Sequence, residues 1–511
     1  VKIRNLRAVH MGKFLSIRGL IKKTVEVRPR VLKATFQCER CKEISIIEQD
    51  DTQRLKEPFK CEGCERTQAS TDFRILVERS VFVDSQKIEL EELPEELEGG
   101  ARAERLTIYV KDDMTGTVNP GETVVINGIL MSQPQRNKQG AKSPTFEIFL
   151  EANSIDPVDT DFSDIKPTPE ETMDIIRASK DARLWENMTH SISPSIKGYD
   201  SIKEALILQL FGGVPKEQPD GQRVRGDIHL LLLGDPGTAK SQLLRYMSRL
   251  APRGRYTQGR ASSAAGLTAA AVRDEFGEGR WSLEAGALVL ADNGLACVDE
   301  LDKMEKSDAS SLHEAMEQQT VTITKAGINA TLQARCSMLA AANPKDGRFS
   351  QGSVEYLKQV PANVTPALLT RFDVIFTIPD EPDVDVDRDV SSHILKSHLL
   401  GEAIAREKEG DSSREVRKVI DDNKPDLTVP FDTSFLRKYV SHSKKYIIPI
   451  MSDEAMKKIQ DFYLELRNPV SEQEKKTGNR SISITARKLE ALVRLAEASA
   501  RVRLSDVVTC L

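Results

Sequence analysis

The 511-residue sequence holds only seven cysteines, unevenly spread, and no signal peptide precedes them. A secreted scaffold stapled by disulfides is excluded, and a reducing, intracellular setting is expected. No apolar run nears the roughly 18 residues that a membrane helix requires. The strongest runs, residues 230–233 and 285–291, have the length of core strands, which excludes a transmembrane role. Neither sign of charge dominates: 73 Lys and Arg face 78 Asp and Glu, for a net charge of −5. That balance rules out a chain coated with positive charge, but a local basic footprint for nucleic acid survives it. Aromatics are only 5%, so base stacking is not the expected grip on such a ligand. Repeats and low-complexity tracts are absent. What is present is a globular composition, 39% hydrophobic and 30% charged, in a length that at roughly 150 residues per domain suggests about three folded units. The sequence opens at Val1 with strand-like residues 14–17 close behind and stops at Leu511 just after a helical pattern. It reads as a piece of a longer chain.

Residues 1–157 show short alternating runs at 14–27, 31–36, 106–110, 122–131 and 146–150, broken by glycine, proline and charged turns. Such spacing predicts a small β-barrel of the OB type. The acidic stretch 89–98 within it reads as a solvated loop. Residues 158–168 are polar, aperiodic and proline-punctuated, and read as a linker. From 169 to 400, helical patterns alternate with β-runs at 228–233, 295–298 and 337–341, which predicts a parallel α/β sheet with crossover helices. Residues 401–511 begin with a charged surface connector, 402–426, and end in a small helical lid without strands. There, Leu489, Leu492, Val493, Leu495 and Ala496 fall at helical spacing.

Cys38 and Cys41, then Cys61 and Cys64, form two Cys-x2-Cys pairs in an insert at about residues 36–75. This spacing lets two knuckles deliver four thiolates to a tetrahedral structural Zn²⁺, with no position left open for catalysis. Cys297 and Cys336 fall in β-runs and read as small buried hydrophobes. Cys510 stands alone.

The sequence Gly234-Asp235-Pro236-Gly237-Thr238-Ala239-Lys240-Ser241 follows an apolar strand and leads into a helical pattern from Gln242. A phosphate-binding loop must wrap backbone N–H groups round phosphate oxygens and aim a helix N-terminus at them. Lys240 stands where the phosphate-binding cation belongs and Ser241 where the Mg²⁺-ligating hydroxyl belongs. Ala239 replaces the glycine usual before the lysine, which costs little if that position already has a helical φ. A second core strand ends in Asp299-Glu300, at the edge where α/β proteins place ligands. Asp299 suits the Mg²⁺ shell, and Glu300 suits polarisation of an attacking water. A third strand ends in Asn343, whose amide could orient that water. Arg371, in Thr370-Arg371-Phe372-Asp373, follows a helix-like turn at 366–369. Ring-forming ATPases present a finger to the neighbouring subunit from this place, worth roughly 10³ to 10⁵ in rate.

Several of these segments together resemble the minichromosome maintenance (MCM) replicative helicases, most closely the archaeal homohexameric type. They are residues 194–213 (Pro-Ser-Ile-Lys-Gly-Tyr-Asp-Ser-Ile-Lys-Glu-Ala, then Leu-Phe-Gly-Gly), the loop 234–241, Asp299-Glu300-Leu301-Asp302-Lys303-Met304, His313-Glu314-Ala315-Met316-Glu317-Gln318-Gln319, and Thr370 to Asp373. The match is dense over 194–379 and looser on either side. In that family alanine is usual at the place of Ala239. The resemblance implies an AAA+ ATP site split between subunits. One copy would supply the loop Gly234 to Gln242, with Lys240, Ser241, Asp299, Glu300 and Asn343. Its neighbour would supply Arg371 as finger and Arg487 as second sensor, with Arg225 a weaker candidate. The implied cofactors are ATP, Mg²⁺ and structural Zn²⁺. The implied partners are single-stranded and forked DNA, other replication factors and further copies in a hexamer, homomeric or heteromeric, with no membrane. The implied place is the cytoplasm or nucleoid of an archaeon or the nucleus of a eukaryote. DNA contacts are expected from Arg136, Lys138 and Lys142 in the barrel, from Lys325 at a hairpin tip within 320–332, and from an insert at 264–290. Two other readings stand beside the motor: a nucleotide-binding ring or loader subunit with little helicase activity of its own, and an AAA+ remodeller of proteins.

Overall fold

The computed structural model describes residues 1–49, 55–68, 70–93, 103–136, 142–158, 167–221, 223–260, 266–273, 281–304, 306–325, 328–349, 359–361, 363–408, 429–467 and 485–509. The chain divides into two compact units. The first comprises Val1–Val158, Ala271–Ala285 and Lys325–Ile328; the second comprises Asp159–Ala270, Gly286–Thr324 and Asn329–Leu511.

Among the described residues, the first unit begins with β1 (Phe14–Val25), β2 (Arg28–Cys38), β3 (Ile44–Glu48), β4 (Phe73–Ile75), β5 (Val81–Glu91), β6 (Arg105–Lys111), β7 (Thr123–Arg136) and β8 (Lys142–Pro157). β1 alternates exposed and buried residues from Phe14 to Gly19, the period-2 pattern of a strand with one wet face. The strands pair in the order β1, β7, β8, β6, β5, and β5 pairs back to β1. The result is a closed five-stranded barrel in which only β6 and β8 run parallel. Closure removes the free edges. A register shift between Ile21 and Lys23 bends β1 where it meets β5. A second shift falls at Asn127 and Gly128, where an added Cβ would come within 2.2 Å of the Glu151 carbonyl. Ile17, Ile21, Ile88, Leu90 and Ile126 fill the barrel core. The acidic stretch is a strand and not a loop as far as Glu91: Glu89 and Glu91 pair with Arg105 across β5 and β6, and buried Glu92 takes Arg4. These partners are remote in sequence, so local charge density misleads here. Residues 94–98 lie outside the described residues.

The second unit starts with α1 (Pro169–Ser179), α2 (Leu184–Ser191) and α3 (Asp200–Phe211), then a hairpin of β9 (Lys216–Glu217) and β10 (Arg223–Val224). In chain order there follow β11 (Leu230–Gly234), α4 (Lys240–Leu250), β12 (Arg255–Gln258), β13 (Ala269–Arg273), β14 (Trp281–Ala285), α5 (Ala287–Leu290), β15 (Leu295–Asp299), α6 (Lys306–Gln318), β16 (Thr320–Lys325), β17 (Ile328–Gln333), β18 (Ser337–Ala342), α7 (Pro366–Leu369), β19 (Val374–Ile378) and α8 (Val384–Lys408), of which β14 and most of β13 belong to the first unit. Five strands make one parallel sheet in the order β12, β15, β18, β11, β19. Their carboxyl ends therefore share one edge, where an open α/β sheet binds its ligand. β13 and β14 join the sheet of the first unit instead, with Lys23 of β1 opposite Glu284.

The lid contains α9 (Thr433–Tyr446), β20 (Ile450–Met451), α10 (Asp453–Arg467), α11 (Ala486–Val502) and β21 (Val507–Val508). Its two short parallel strands correct the expectation of a strandless lid. The apolar run 285–291 is also corrected, because most of it forms the buried helix α5; a continuous apolar run does not distinguish strand from buried helix. Residues 402–408 continue α8 and are not part of a connector, and 409–428 lie outside the described residues. One hydrophobic core joins Leu206, Leu230, Leu243, Leu339 and the lid's Tyr439 and Ala498, so sheet and lid pack as one body. Among the described residues, no helix is long and apolar enough to cross a membrane.

Candidate active site and metal centre

The loop after β11 is held from inside. Buried Asp235 spends its carboxylate on the backbone N–H groups of Phe349 (2.7 Å) and Asp380 (2.9 Å), so it anchors the loop. Thr238 Oγ1 donates to the Asp235 carbonyl at 2.8 Å. Gly237 has φ +90°, and an added Cβ would meet nothing within 4 Å, so the loop keeps an open concave face there. The Lys240 ammonium lies beneath the loop, donating to the carbonyls of Gly234 (2.8 Å) and Asp235 (2.6 Å). Burial pulls its pKa down, while Asp299, Asp235 and Asp302 oppose that. Ala239 has no side-chain acceptor with which to cap α4, which leaves the helix's first N–H groups and its positive dipole end for an anion. Ser241 and Gln242 are exposed in the first turn.

Ala239 itself departs from expectation. It lies outside the helix at φ 57°, ψ 12°, in the left-handed region. That conformation costs a non-glycine residue about 1–2 kcal/mol, because the chain must reverse before α4 can start. The methyl group packs against the core cluster, which offsets part of that cost.

The neighbouring strand ends complete the edge. Asp299 closes β15 and is buried. Its Oδ2 accepts the Tyr256 hydroxyl from β12 at 2.7 Å, and its Oδ1 accepts the Glu300 N–H at 2.9 Å. The Tyr256 ring lies 5.3 Å from the Arg245 guanidinium of α4, so three elements orient one carboxylate. Sequence reasoning missed Tyr256 because β12, Arg-Tyr-Thr-Gln, carries no apolar run. Glu300 is in the left-handed region, φ 52°, and pairs with Lys303 at 2.5 Å. Asn343 follows β18, and its N–H donates to Asp302 Oδ1 at 3.1 Å. The residue types and the shared edge fit a nucleotide phosphate with Mg²⁺ at Ser241 and Asp299.

The three arginines fall elsewhere. Thr365 caps α7 through the Leu368 N–H, with Pro366 next to it, and Arg371 follows that short helix. Arg371 Nη1 donates to the Ala367 carbonyl (2.7 Å) and Nη2 to Glu317 Oε2 (2.6 Å). Arg487, in the first turn of α11, takes the other oxygen of Glu317. Burial raises the Glu317 pKa, but Arg371 and Arg487 outweigh it and hold the carboxyl below its ordinary range. Among the described residues, neither arginine bonds to the loop 234–241. Arg225 is spent on buried Asp373, with contacts of 3.1 and 3.2 Å, and also donates to the Arg371 carbonyl. Arg494 of α11 takes Asp373 at 2.7 Å, and Lys488 donates to the carbonyls of Phe372 and Asp373. Within its own chain the Arg225 guanidinium thus braces the segment that carries Arg371.

The four cysteines of the insert come together. Cys38 ends β2, and the four sulfurs lie within 4.8 Å of one another. Cys38 to Cys64 is 3.8 Å and Cys41 to Cys61 is 3.4 Å. Tetrahedral zinc with Zn–S of about 2.3 Å places sulfurs about 3.8 Å apart, so the cluster fits the ion. The Cys41 N–H and the Thr71 hydroxyl hold the Cys38 thiol down to about 6. At Cys41 the Glu43 N–H acts to lower the pKa, but neighbouring sulfurs and burial push it up to about 12. Cys297 and Cys336 are buried thiols whose pKa burial raises.

Of the basic positions, Arg136 and Lys142 are backbone register partners at the ends of β7 and β8. Lys138 lies outside the described residues. Lys325 ends β16, which pairs with β17. Within 264–290, β13, β14 and α5 are described.

Three family models together match most of the chain. Residues 2–134 match an MCM OB domain, 171–398 an MCM P-loop domain and 434–510 an MCM AAA-lid domain. The minichromosome maintenance protein MCM of Saccharolobus solfataricus is 39% identical over 518 residues, covering 100% of this chain and 69% of its own. The DNA replication licensing factor mcm7 of Schizosaccharomyces pombe is 34% identical over 99% of this chain and 63% of its own. For the licensing factor mcm-5 of Caenorhabditis elegans the figures are 34%, 99% and 69%. The chain belongs to the minichromosome maintenance family, the ATP-driven helicases of DNA replication.

Proposed function

We propose that the chain is one subunit of a homohexameric ring that hydrolyses ATP at the seams between copies, moves along single-stranded DNA and parts the duplex. The observation that carries this reading is a separation within one chain. Lys240, Ser241, Asp299, Glu300 and Asn343 share the carboxyl edge of one sheet, whereas Arg371 and Arg487 share Glu317. One chain thus carries both halves of a site that two copies complete, so identical copies suffice. Lys240 and the N–H groups of α4 bind the phosphates, Ser241 and Asp299 hold Mg²⁺, Glu300 polarises water and Asn343 orients it. Bound Mg²⁺ draws charge from the phosphate oxygens. Arg371 and Arg487 of the next copy neutralise charge as it builds on the transferred phosphoryl group.

The hairpins β7–β8, with Arg136, Lys138 and Lys142, and β16–β17, with Lys325, contact DNA through its phosphates. Such contacts are sequence-blind and exchange step by step, as a motor needs. The setting is the compartment that holds the chromosome, with other replication factors as partners. The test is complementation. Lys240→Ala and Arg371→Ala chains are each expected to be inactive. Mixed in equal amounts they should regain ATPase, since about a quarter of the seams in a random ring pair an intact loop with an intact finger. No recovery in a mixture that assembles contradicts the proposal.

A further inference from the structure

We propose that Glu317 is a positioning residue that delivers Arg371 and Arg487 to the neighbouring copy's nucleotide as one unit. This rests on the reading of a site shared between copies.

The two arginines come from different parts of the second unit. Arg371 follows α7, and Arg487 starts α11 of the lid, 116 residues later. Each takes one oxygen of the same carboxylate. α6 presents that carboxylate from the face that also holds α7: His313 and Glu317 are four residues apart and lie on one side of the helix. His313 Nε2 lies 3.5 Å from Oγ1 of Thr365, the residue that caps α7. The same helix therefore grips the start of α7 and the arginine after its end.

The charges in this cluster do not balance. Glu317 brings one negative charge to two guanidiniums and leaves a net positive charge. Arg371 Nε is buried and has no acceptor among the described residues, so its own chain does not saturate the finger. A phosphate, with more than one negative charge and several acceptor oxygens, is the class of ligand that such a pair would take. Without the carboxylate, two like charges would face each other at close range and drift apart. Lid and finger would then reach the neighbouring site independently.

The test adds Glu317→Gln, which keeps the shape and removes the charge, to the mixture of Lys240→Ala and Arg371→Ala chains. On the Lys240→Ala chain, which lends the arginines, the change is expected to lower ATPase by roughly 10- to 100-fold, the scale of an ångström misplacement of reacting groups. On the Arg371→Ala chain, which lends only the loop, it is expected to leave the rate within about twofold, well under one tenfold step in barrier height. Glu317→Asp on the lending chain should restore part of the loss. An equal loss on either chain, or no loss on either, overturns the proposal, since a residue needed only for folding acts wherever it is placed. If the mixture without Glu317→Gln assembles yet stays inactive, the shared-site reading itself fails and this inference falls with it.

Discussion

Asp373→Asn probes the buried knot at the root of the finger. The Asp373 side chain is 2% exposed, Arg494 4% and Arg225 15%. Asp373 Oδ1 accepts from Arg225 and Arg494, and Oδ2 accepts from Arg225 and from the His229 N–H at 2.8 Å. Asparagine keeps one acceptor, turns an NH₂ toward guanidinium donors, strips buried Arg225 of its ion-pair partner and leaves buried Arg494 only the exposed Glu490 at 3.4 Å. Removing one partner of a buried ion pair costs about 3–5 kcal/mol, which lowers the unfolding midpoint of a unit of this size by roughly 4 to 7 °C. Scanning calorimetry beside the parent chain reads this directly. ATPase should fall as well, because Arg225 also braces the Arg371 carbonyl. Replacing all three charges together, with Asp373→Leu, Arg225→Leu and Arg494→Met, should cost less than Asp373→Asn alone, since no buried charge is then stranded. The pH dependence has a definite sign. Burial raises the Asp373 pKa, but Arg225 and Arg494 outweigh it and hold the carboxyl below its ordinary value. The stability from ionised Asp373 is thus present above the unfolded value of about 3.9 and lost as pH falls through the lower folded value. The gap between parent and variant should narrow below about pH 4. A variant melting within about 1 °C of the parent, or a triple variant melting below the single one, would refute the reasoning.

Three other outcomes follow from the geometry. Tyr256→Phe removes the hydrogen bond that orients Asp299. It should raise the Mg²⁺ concentration for half-maximal ATPase by roughly tenfold, as the loss of a bond to a charged group does, and lower the melting temperature slightly, because buried Asp299 loses a donor; a Mg²⁺ titration superimposing on the parent's would show that Tyr256 holds nothing. Ala239→Gly relieves the left-handed alanine but gives up its methyl contact with the core and adds chain entropy, so the unit's stability should stay within about 0.5 kcal/mol of the parent's, as read from the unfolding midpoint. Elemental analysis should find one zinc per chain in the parent and little after Cys64→Ser. The barrel's far-ultraviolet dichroism should persist, because its core of Ile17, Ile88 and Ile126 lies outside the cysteine cluster.

What the sequence made legible was what lies contiguous in it. The phosphate loop, the Asp299-Glu300 strand end and the paired cysteines each occupy a few neighbouring residues, and the structure gathers them as the motifs imply. The barrel was readable because β1 alternates in and out. The knot at Asp373 was not, since Arg225 and Arg494 stand 148 and 121 residues away from it. Glu317 was legible only as part of the segment His313 to Gln319, because its partners Arg371 and Arg487 stand 54 and 170 residues away, and Tyr256 lay in a strand too polar to stand out. The conformation of Ala239 was misjudged because sequence marks the start of a helix less finely than one residue. Glu89 and Glu91 show the same limit in reverse: a run of like charge looked like a loop, and cross-strand Arg105 makes it a strand.

The central claim is that the ATP site is complete only between two copies of this chain. The most direct measurement is ATP turnover per chain, with Mg²⁺ and single-stranded DNA present, across a wide range of chain concentration, with native mass followed on the same samples. The account predicts that turnover is lost as rings dissociate and rises steeply as copies associate, with no other protein added. Constant turnover per chain down to the monomer would contradict it.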